Sequence, residues 1–151
     1  MADVHDVAAY ILREAGPMST MKLQKLAYYS QAWNLVWDEQ PLFEAPIQAW
    51  MNGPVVYELY QQHRGRFTVG DWPMGDPSNL DRNERATIDA VLRSYDKFSG
   101  QQLSALSHKE RPWREARQGL PDGASSSAEV SLDSMQAYYS ELDMSDSAIE
   151  L

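Results

Sequence analysis

The residues with the clearest potential for chemistry are three histidines, His5, His63 and His108, which lie far apart in the sequence. None of them has a second histidine or an acid at the spacing of an H-E-x-x-H zinc site. His108 and Glu110 match the H-x-E of zinc deaminases, but the chain has no cysteine to complete that site. We therefore expect no metal, no cofactor and no catalytic site. The alternative is a hydrolase that uses His63 or His108 with a nearby carboxylate.

The composition is that of an acidic globular domain without the motifs of common enzymes. The chain has 151 residues, of which 43% are hydrophobic, a net charge of −9 and no cysteine. This length predicts one domain with a sizeable core, and the lack of cysteine excludes disulfides and thiol chemistry. The acidic balance disfavours nucleic-acid binding, and no apolar run is long enough to span a membrane. Phosphate-binding loops and the G-x-S-x-G turn are absent, so no common enzyme motif is present. From the charge, the lack of cysteine and the lack of a long apolar run we expect a cytoplasmic protein without a membrane or nucleic-acid partner.

The negative charge is concentrated towards the carboxyl end. Residues 120–151 contain seven acids and no lysine or arginine, so they carry −7 of the total −9. Such a segment is either the solvated face of a last helix or an acidic arm that meets a basic partner. We expect one domain over residues 1–142, followed by an acidic and flexible tail over residues 143–151.

Two groups of residues could contact a partner. His63, Arg64 and Arg66 form a basic cluster at the end of a predicted helix, where cations either complement the helix dipole or bind an anionic group. The chain also has five tryptophans, which are typical of both cores and interface hot spots. The sequence leaves both alternatives open for both groups.

The apolar periodicity predicts a mainly α-helical domain of about six helices. A first helix over 4–15 is expected to end at a Gly-Pro pair. A second helix, over about 20–37, is apolar around most of its circumference and is therefore expected to be central and buried. Later helix starts are marked by Asp81-x-x-Glu84, Ser99-x-x-Gln102, Pro112 and Ser131.

Little β-structure is expected in the region between residues 38 and 80. Ile47–Trp50 could form a short strand and Phe67–Val69 an edge strand, and the fold is α+β at most if these two segments pair. Pro54 is predicted to occupy the first turn of a third helix that ends at His63, because a proline is tolerated there. The segment 66–79 is otherwise expected to be a loop.

Three separated segments together resemble one protein family. Residues 22–31, KLQKLAYYSQ, are similar to the K-L-Q-K-L-x-Y-x-x-Q helix of the Panacea domain of SocA-like, phage-associated antitoxins. Residues 49–56, AWMNGPVV, resemble its A-W-x-x-G-P-V-V segment, and residues 103–113, LSALSHKERPW, resemble its L-S-x-L-S/T-H-x-E-x-P-W segment. Residues 135–139 are similar to the closing helix of the family, so the resemblance spans about residues 4–140.

The resemblance implies an antitoxin that neutralises its cognate toxin by direct protein–protein binding and that is not an enzyme. In this family different members pair with unrelated toxins. One lineage delivers its toxin to a cytosolic protease, so the alternative is a proteolytic adaptor or another phage-related interaction module. The partners implied are therefore a toxin and, for the alternative, a protease.

The matched segments and the basic cluster contain two kinds of candidate residue. We expect a structural role for Leu23, Leu26, Gly53, Pro54, His108, Pro112 and Trp113. The candidates for partner contact, including the basic cluster, are Lys22, Gln24, Lys25, Tyr28, Trp50, Asn52, His63, Arg64 and Arg66. Lys22 and Lys25 are poorly placed near a helix start, where the dipole favours acids, so each requires a local carboxylate or a binding role. His108 is expected to bond the backbone carbonyls around Pro112.

Overall fold

The computed structural model describes the backbone of residues 2–150 and the side chains of residues 2–145. The helices are α1 (Val4–Ala15), α2 (Thr20–Trp37), α3 (Tyr57–His63), α4 (Arg82–Tyr95), α5 (Gly100–Lys109), α6 (Arg111–Ala116) and α7 (Leu132–Glu150). The strands are β1 (Met18–Ser19), β2 (Ile47–Trp50), β3 (Gly53–Val56) and β4 (Thr68–Val69), and a 3-10 helix covers Pro77–Asn79. The predicted class, mainly α with minor β-structure, is confirmed, with seven α-helices in the described part of the chain.

Helix α2 is the centre of the domain. It packs against α1, α4, α5, α7 and β3, and its side chains are buried from Leu23 to Leu35. This position explains why its sequence is apolar on nearly every face, as expected for a central helix. The hydroxyl of Ser19 accepts the Lys22 N–H at 3.1 Å and thereby caps the start of α2.

The predicted helix starts are present because they depend only on neighbouring residues. Both capping boxes form, at Asp81 with Glu84 before α4 and at Ser99 with Gln102 before α5. Ser131 accepts the Ser134 N–H at 3.0 Å at the start of α7. Helix α7 then continues to Glu150, and the division of the chain at residue 142 stays a prediction.

The strand pairing differs from the prediction. Strands β2 and β3 form an antiparallel hairpin in which Ile47 lies opposite Val56 and Trp50 lies opposite Gly53, while β4 pairs with β1. Ile47–Trp50 therefore does not pair with Phe67–Val69. Gly53 has a φ of +111°, which a glycine adopts readily, so the chain reverses directly after Trp50 and offers β2 the nearest partner.

Pro54 was also misplaced by the prediction, because it lies in β3 and α3 begins only at Tyr57. Pro54 is opposite Ala49, and the Ala49 N–H bonds to the Ala128 carbonyl on the far side of β2. This is a position where the hairpin ladder requires no N–H from Pro54, so a proline is tolerated in the strand.

In the part of the chain that the structure describes, no helix is long and apolar enough to cross a membrane.

Candidate partner-binding surface

The β2–β3 hairpin is fixed to the helices by side chains that bind its backbone carbonyls. The bonds are Arg117 Nη1 to Ala49 O (2.9 Å), Trp113 Nε1 to Trp50 O (2.8 Å), Ser104 Oγ to Asn52 O (2.6 Å), Lys25 Nζ to Pro54 O (3.1 Å) and Gln24 Nε2 to Val56 O (3.1 Å). The donors come from α2, from α5 and from the region of α6. The three segments that carry the family resemblance are thus joined in one hydrogen-bonded clamp around the hairpin.

Gln24 takes the place of a third strand along the edge of β3. Its Oε1 accepts the Val56 N–H at 2.8 Å while its Nε2 donates to the Val56 carbonyl, so both backbone groups of Val56 are paired. The same amide nitrogen lies 3.0 Å from Nε2 of His63. Since the amide nitrogen is the donor, His63 accepts through Nε2, and burial lowers the pKa of this histidine. His63 is therefore a neutral internal acceptor.

Lys25 is a buried amine held by a carbonyl dipole. It is only 2% exposed, and no carboxylate forms a salt bridge with it among the described side chains. Burial lowers its pKa to about 7. Its stem fills the space beside Gly53, where a Cβ would lie 2.7 Å from Lys25 Cε and 2.9 Å from Ser107 Oγ. Gly53 thus permits both the turn and the close approach of α2.

A second buried network joins α2 to α7 through Glu110. Tyr29 donates to Glu110 Oε1 at 2.6 Å, and Tyr139 donates to the same oxygen at 2.8 Å. The Tyr28 hydroxyl lies 3.0 Å from that of Tyr139. Burial raises the pKa of Glu110, and the two tyrosine hydrogen bonds oppose that rise. Sequence reasoning did not find this role of Glu110, because its partners are distant in the chain.

Besides His63, four of the nine candidates for partner contact are buried or paired inside the domain. Gln24, Lys25 and Tyr28 are buried, and Lys22 is partly buried with its Nζ 3.0 Å from a carboxylate oxygen of Asp96. The placement of these four side chains does not fit direct contact with a partner. Asp96 is the local carboxylate that the position of Lys22 near the helix start required.

The other candidates divide between the interior and the surface. His63 is 6% exposed, whereas Arg64 and Arg66, directly after it, are exposed. Trp50 is partly exposed and Asn52 is exposed at the hairpin turn. The structure thus leaves Trp50, Asn52 and the two arginines available to a partner.

The exposed end of the hairpin meets α3 in an aromatic cluster. The ring centroid of Trp50 lies 4.8 Å from that of Tyr60 and 6.2 Å from that of Tyr57, and the two tyrosine rings are 6.0 Å apart. Tyr57 is 40% exposed and Met51, in the turn, is 44% exposed. We call these residues, Trp50, Met51, Tyr57 and Tyr60, the aromatic hairpin surface. Sequence reasoning found only Trp50 of this set.

A groove with a volume of about 730 Å³ runs along this surface. Its lining consists of Gln48, Trp50, Met51, Asn52, Val55, Tyr57 and residues 125–127. The serine segment 125–127 forms the opposite wall. That wall is held in place because Arg117 binds the carbonyls of Pro121 and Ala124, and Ala49 donates to the Ala128 carbonyl at 2.7 Å.

His108 does not bond the carbonyls around Pro112, contrary to the expectation. Its ring packs on Trp113 with the centroids 4.2 Å apart, and its Nε2 is buried without a hydrogen-bond partner. The carbonyl of His108 accepts instead from Arg114 at 3.0 Å. Neither His108 nor His63 forms an ion pair with a carboxylate within the described residues, so the geometry gives no support to the hydrolase alternative.

One group of side chains has the spacing of metal ligands. Ligand atoms of Asp3, His5 and Glu58 lie within 4.8 Å of one another. However, Nδ1 of His5 accepts the Trp72 indole N–H at 3.0 Å, which leaves the proton of a neutral ring on Nε2, 3.3 Å from Glu58. Nε2 of His5 therefore faces the Glu58 carboxylate, and this polar contact links α1 to α3.

The comparison with protein-family models agrees with the sequence resemblance. The sequence model of the family described as "Antitoxin SocA-like, Panacea domain" matches residues 23–114. A comparison with curated proteins gives no match, and neither does a comparison with solved structures. The matched range includes most of α2, the hairpin, α3, α5 and Trp113, which together form the aromatic hairpin surface and all of the clamp except Arg117.

Proposed function

Because the chain belongs to the SocA-like Panacea antitoxin family, we propose that it is the antitoxin of a toxin–antitoxin pair and neutralises its cognate toxin by binding it directly in the cytoplasm. The observation that carries this proposal is the aromatic hairpin surface. It presents a tryptophan, a methionine and two tyrosines at the surface of a domain whose family motifs lie mostly inside. Trp and Tyr are the residues most enriched among interface hot spots.

The clamp around the hairpin supports this role because it removes the cost of ordering the binding surface. The backbone carbonyls of Ala49, Trp50 and Asn52 are each bonded by a side chain from a helix or its flank. A surface that is already rigid loses little conformational entropy on binding, so more of the contact energy appears as affinity. The internal motifs then specify the platform, and the exposed side chains contact the partner.

The acidic carboxyl-terminal segment gives the proposal its electrostatic part. Seven acids lie in residues 120–151 without a compensating cation, and fields of one sign accelerate encounter with an oppositely charged protein. We assign this segment to the association rate, and the aromatic hairpin surface to the lifetime of the complex. The toxin expected is therefore a protein with a basic surface.

The proposal is tested by co-expressing the chain with the protein encoded by the adjacent reading frame. Wild-type chain should restore growth of cells that express a toxic neighbour, and the double variant Trp50→Ala/Tyr57→Ala should not. The matched control is Trp37→Ala, which removes another exposed tryptophan, 44% exposed at the end of α2. A double variant that is folded and fully protective would contradict the assignment of the surface.

The amount of toxin in the same cells separates sequestration from delivery to a protease. Direct sequestration predicts that the toxin accumulates in a complex with the chain and that its half-life is not shortened. The proteolytic adaptor alternative predicts that the toxin disappears when the chain is present and a cytosolic protease is active. Growth restored together with loss of the toxin would replace sequestration by the adaptor function.

A further inference from the structure

We propose that the groove beside the aromatic hairpin surface receives an arginine side chain from a basic segment of the partner. That the partner is a toxin rests on the proposed function, whereas the chemistry of the occupant is argued from the groove itself. Three features point to a cation: the aromatic faces, the absence of a basic lining residue and a carboxylate-bearing residue on the same face of the sheet.

The aromatic faces form the first feature. Trp50 and Tyr57 line the groove, their ring centroids are 6.2 Å apart, and Tyr60 supports Trp50 in an edge-on contact at 4.8 Å. A guanidinium group within about 6 Å of a ring centroid is attracted by the negative face of the ring, and tryptophan gives the strongest attraction. Two adjacent rings at the rim of one groove can both contact a planar guanidinium group.

The charges around the groove form the second feature. The described residues that line the groove include no lysine or arginine, and all of them carry apolar, aromatic, amide or hydroxyl side chains. Glu129 pairs with Gln48 in an antiparallel bridge, and residues paired in this way direct their side chains to the same face. Gln48 itself accepts the Trp50 indole N–H at 2.7 Å. The Glu129 side chain thus lies on the same face of the sheet as the side chains of Gln48 and Trp50.

Glu129 is also available for a partner. It is exposed, and among the side chains that the structure describes it forms no salt bridge. An arginine that packs on Trp50 could therefore donate to this carboxylate while its aliphatic stem contacts Met51 and Val55. A neutral apolar side chain would gain the same stem contacts but neither the ring attraction nor the ion pair.

The net charge of the chain favours the same occupant. With a net charge of −9 the domain attracts basic segments at long range, and the groove offers such a segment a preformed pocket. Its wall is held by the bonds from Arg117 and Ala49. Charge complementarity and preorganisation thus select a basic peptide segment over an apolar or an acidic one.

The test uses the purified full chain and two short peptides. One is an acetylated peptide with two arginines separated by glycine, and the other has norleucine in place of each arginine. Binding is followed by the NMR signal of the Trp50 indole N–H, assigned with a Trp50→Phe variant. We expect the arginine peptide to bind about two- to fivefold more tightly than the norleucine peptide at low salt. Equal affinities, or tighter binding of the norleucine peptide, would overturn the proposal.

Variants of the groove separate a cation site from an apolar one. Tyr57→Phe should keep the full preference for arginine, whereas Tyr57→Leu should reduce it, because only an aromatic ring has the negative face. Glu129→Gln should weaken binding of the arginine peptide and leave binding of the norleucine peptide unchanged. Glu44 is an exposed acid that lines a different pocket, so the control variant Glu44→Gln should change the affinity for neither peptide. A preference for arginine that is unchanged in both Tyr57→Leu and Glu129→Gln would show that the cation binds elsewhere.

Failure of the inference and failure of the proposed function give different results. A chain that neutralises the neighbouring toxin through Trp50 but shows no preference for the arginine peptide leaves the function intact and refutes the cation site. A chain that prefers the arginine peptide but neutralises no neighbour keeps the site and refutes the antitoxin assignment.

Discussion

Replacing Lys25 with methionine should abolish a rise in stability with pH that the wild-type protein shows above neutral pH. Burial lowers the pKa of the Lys25 amine to about 7 from its ordinary value of 10.5. Between these two values the unfolded chain binds one more proton than the folded chain. The free energy of unfolding therefore increases with pH over this interval, and methionine, which does not titrate, removes that increase.

The size of the effect follows from the surroundings of the amine. Lys25 Nζ has the Pro54 carbonyl at 3.1 Å as its acceptor, and within the described side chains no carboxylate lies at salt-bridge distance. A difference of one bound proton between the unfolded and the folded chain changes the free energy of unfolding by about 1.4 kcal/mol per pH unit. The free energy of unfolding of the wild type should therefore increase by about 2 kcal/mol between roughly pH 8 and pH 9.5.

The measurement is urea unfolding at several pH values in that range. The free energy of unfolding of the variant is subtracted from that of the wild type, and the difference is plotted against pH. The subtraction cancels the buried tyrosines, whose raised pKa values lower the stability of both proteins above about pH 10. Leu26→Met serves as control, since it changes a buried side chain of the same helix without removing a titratable group. Parallel curves for wild type and Lys25→Met would show that Lys25 is not a desolvated amine, and would refute the reasoning.

Three further predictions concern Gly53, Glu110 and the acidic tail. Gly53→Val should lower the free energy of unfolding by about 1–3 kcal/mol or more, because the position has a φ of +111° and its new Cβ would lie 2.7 Å from Lys25 Cε. Thermal unfolding measures this loss. Gly123→Ala is the control, since Gly123 has open space around it, and it should melt like wild type. Burial raises the pKa of Glu110, so above about pH 4.5 its carboxyl group ionises first in the unfolded chain. The free energy of unfolding of the wild type should therefore fall relative to that of Glu110→Gln as pH rises. Urea unfolding between acid and neutral pH measures this difference, and a relative increase in the free energy of unfolding of the wild type would contradict the prediction. Deleting residues 143–151 should slow association with the toxin at low salt and leave the dissociation rate nearly unchanged, as measured by surface plasmon resonance. A tenfold faster dissociation, which corresponds to a loss of about 1.4 kcal/mol of binding free energy, would show that the tail is part of the interface.

The helices could be predicted from the sequence because their signals are local. The capping boxes at Asp81 and Ser99 and the all-round apolar pattern of α2 need no information from other parts of the chain. The start of α3 was predicted three residues too early, because Pro54 fits a first helical turn and a strand position equally well. What decides between them is the pairing of Ala49 with Pro54 and the clamp from α2, which are contacts between distant residues.

The candidate site was predictable only in part, for the same reason. Lys25 was recognised as unusual near a helix start and Gln24 as a candidate for contact, but their acceptors are backbone groups of a strand that the prediction did not contain. Trp50 was found from its motif. Tyr57 was missed because its exposure depends on where the hairpin ends and α3 begins, so it became visible only with the correct boundary.

The dissociation constant of the purified complex between the chain and its toxin is the most direct test of the aromatic hairpin surface. If the aromatic hairpin surface is the anchor, Trp50→Ala should weaken binding by about thirtyfold or more, the loss typical of an interface hot spot. The backbone carbonyl of Trp50 that accepts from Trp113 is kept in this variant, so its circular dichroism and melting temperature report whether the hairpin is intact. Trp37→Ala should bind within about threefold of wild type. A folded Trp50→Ala protein that binds as tightly as wild type, or a loss of binding confined to Trp37→Ala, would contradict the central claim.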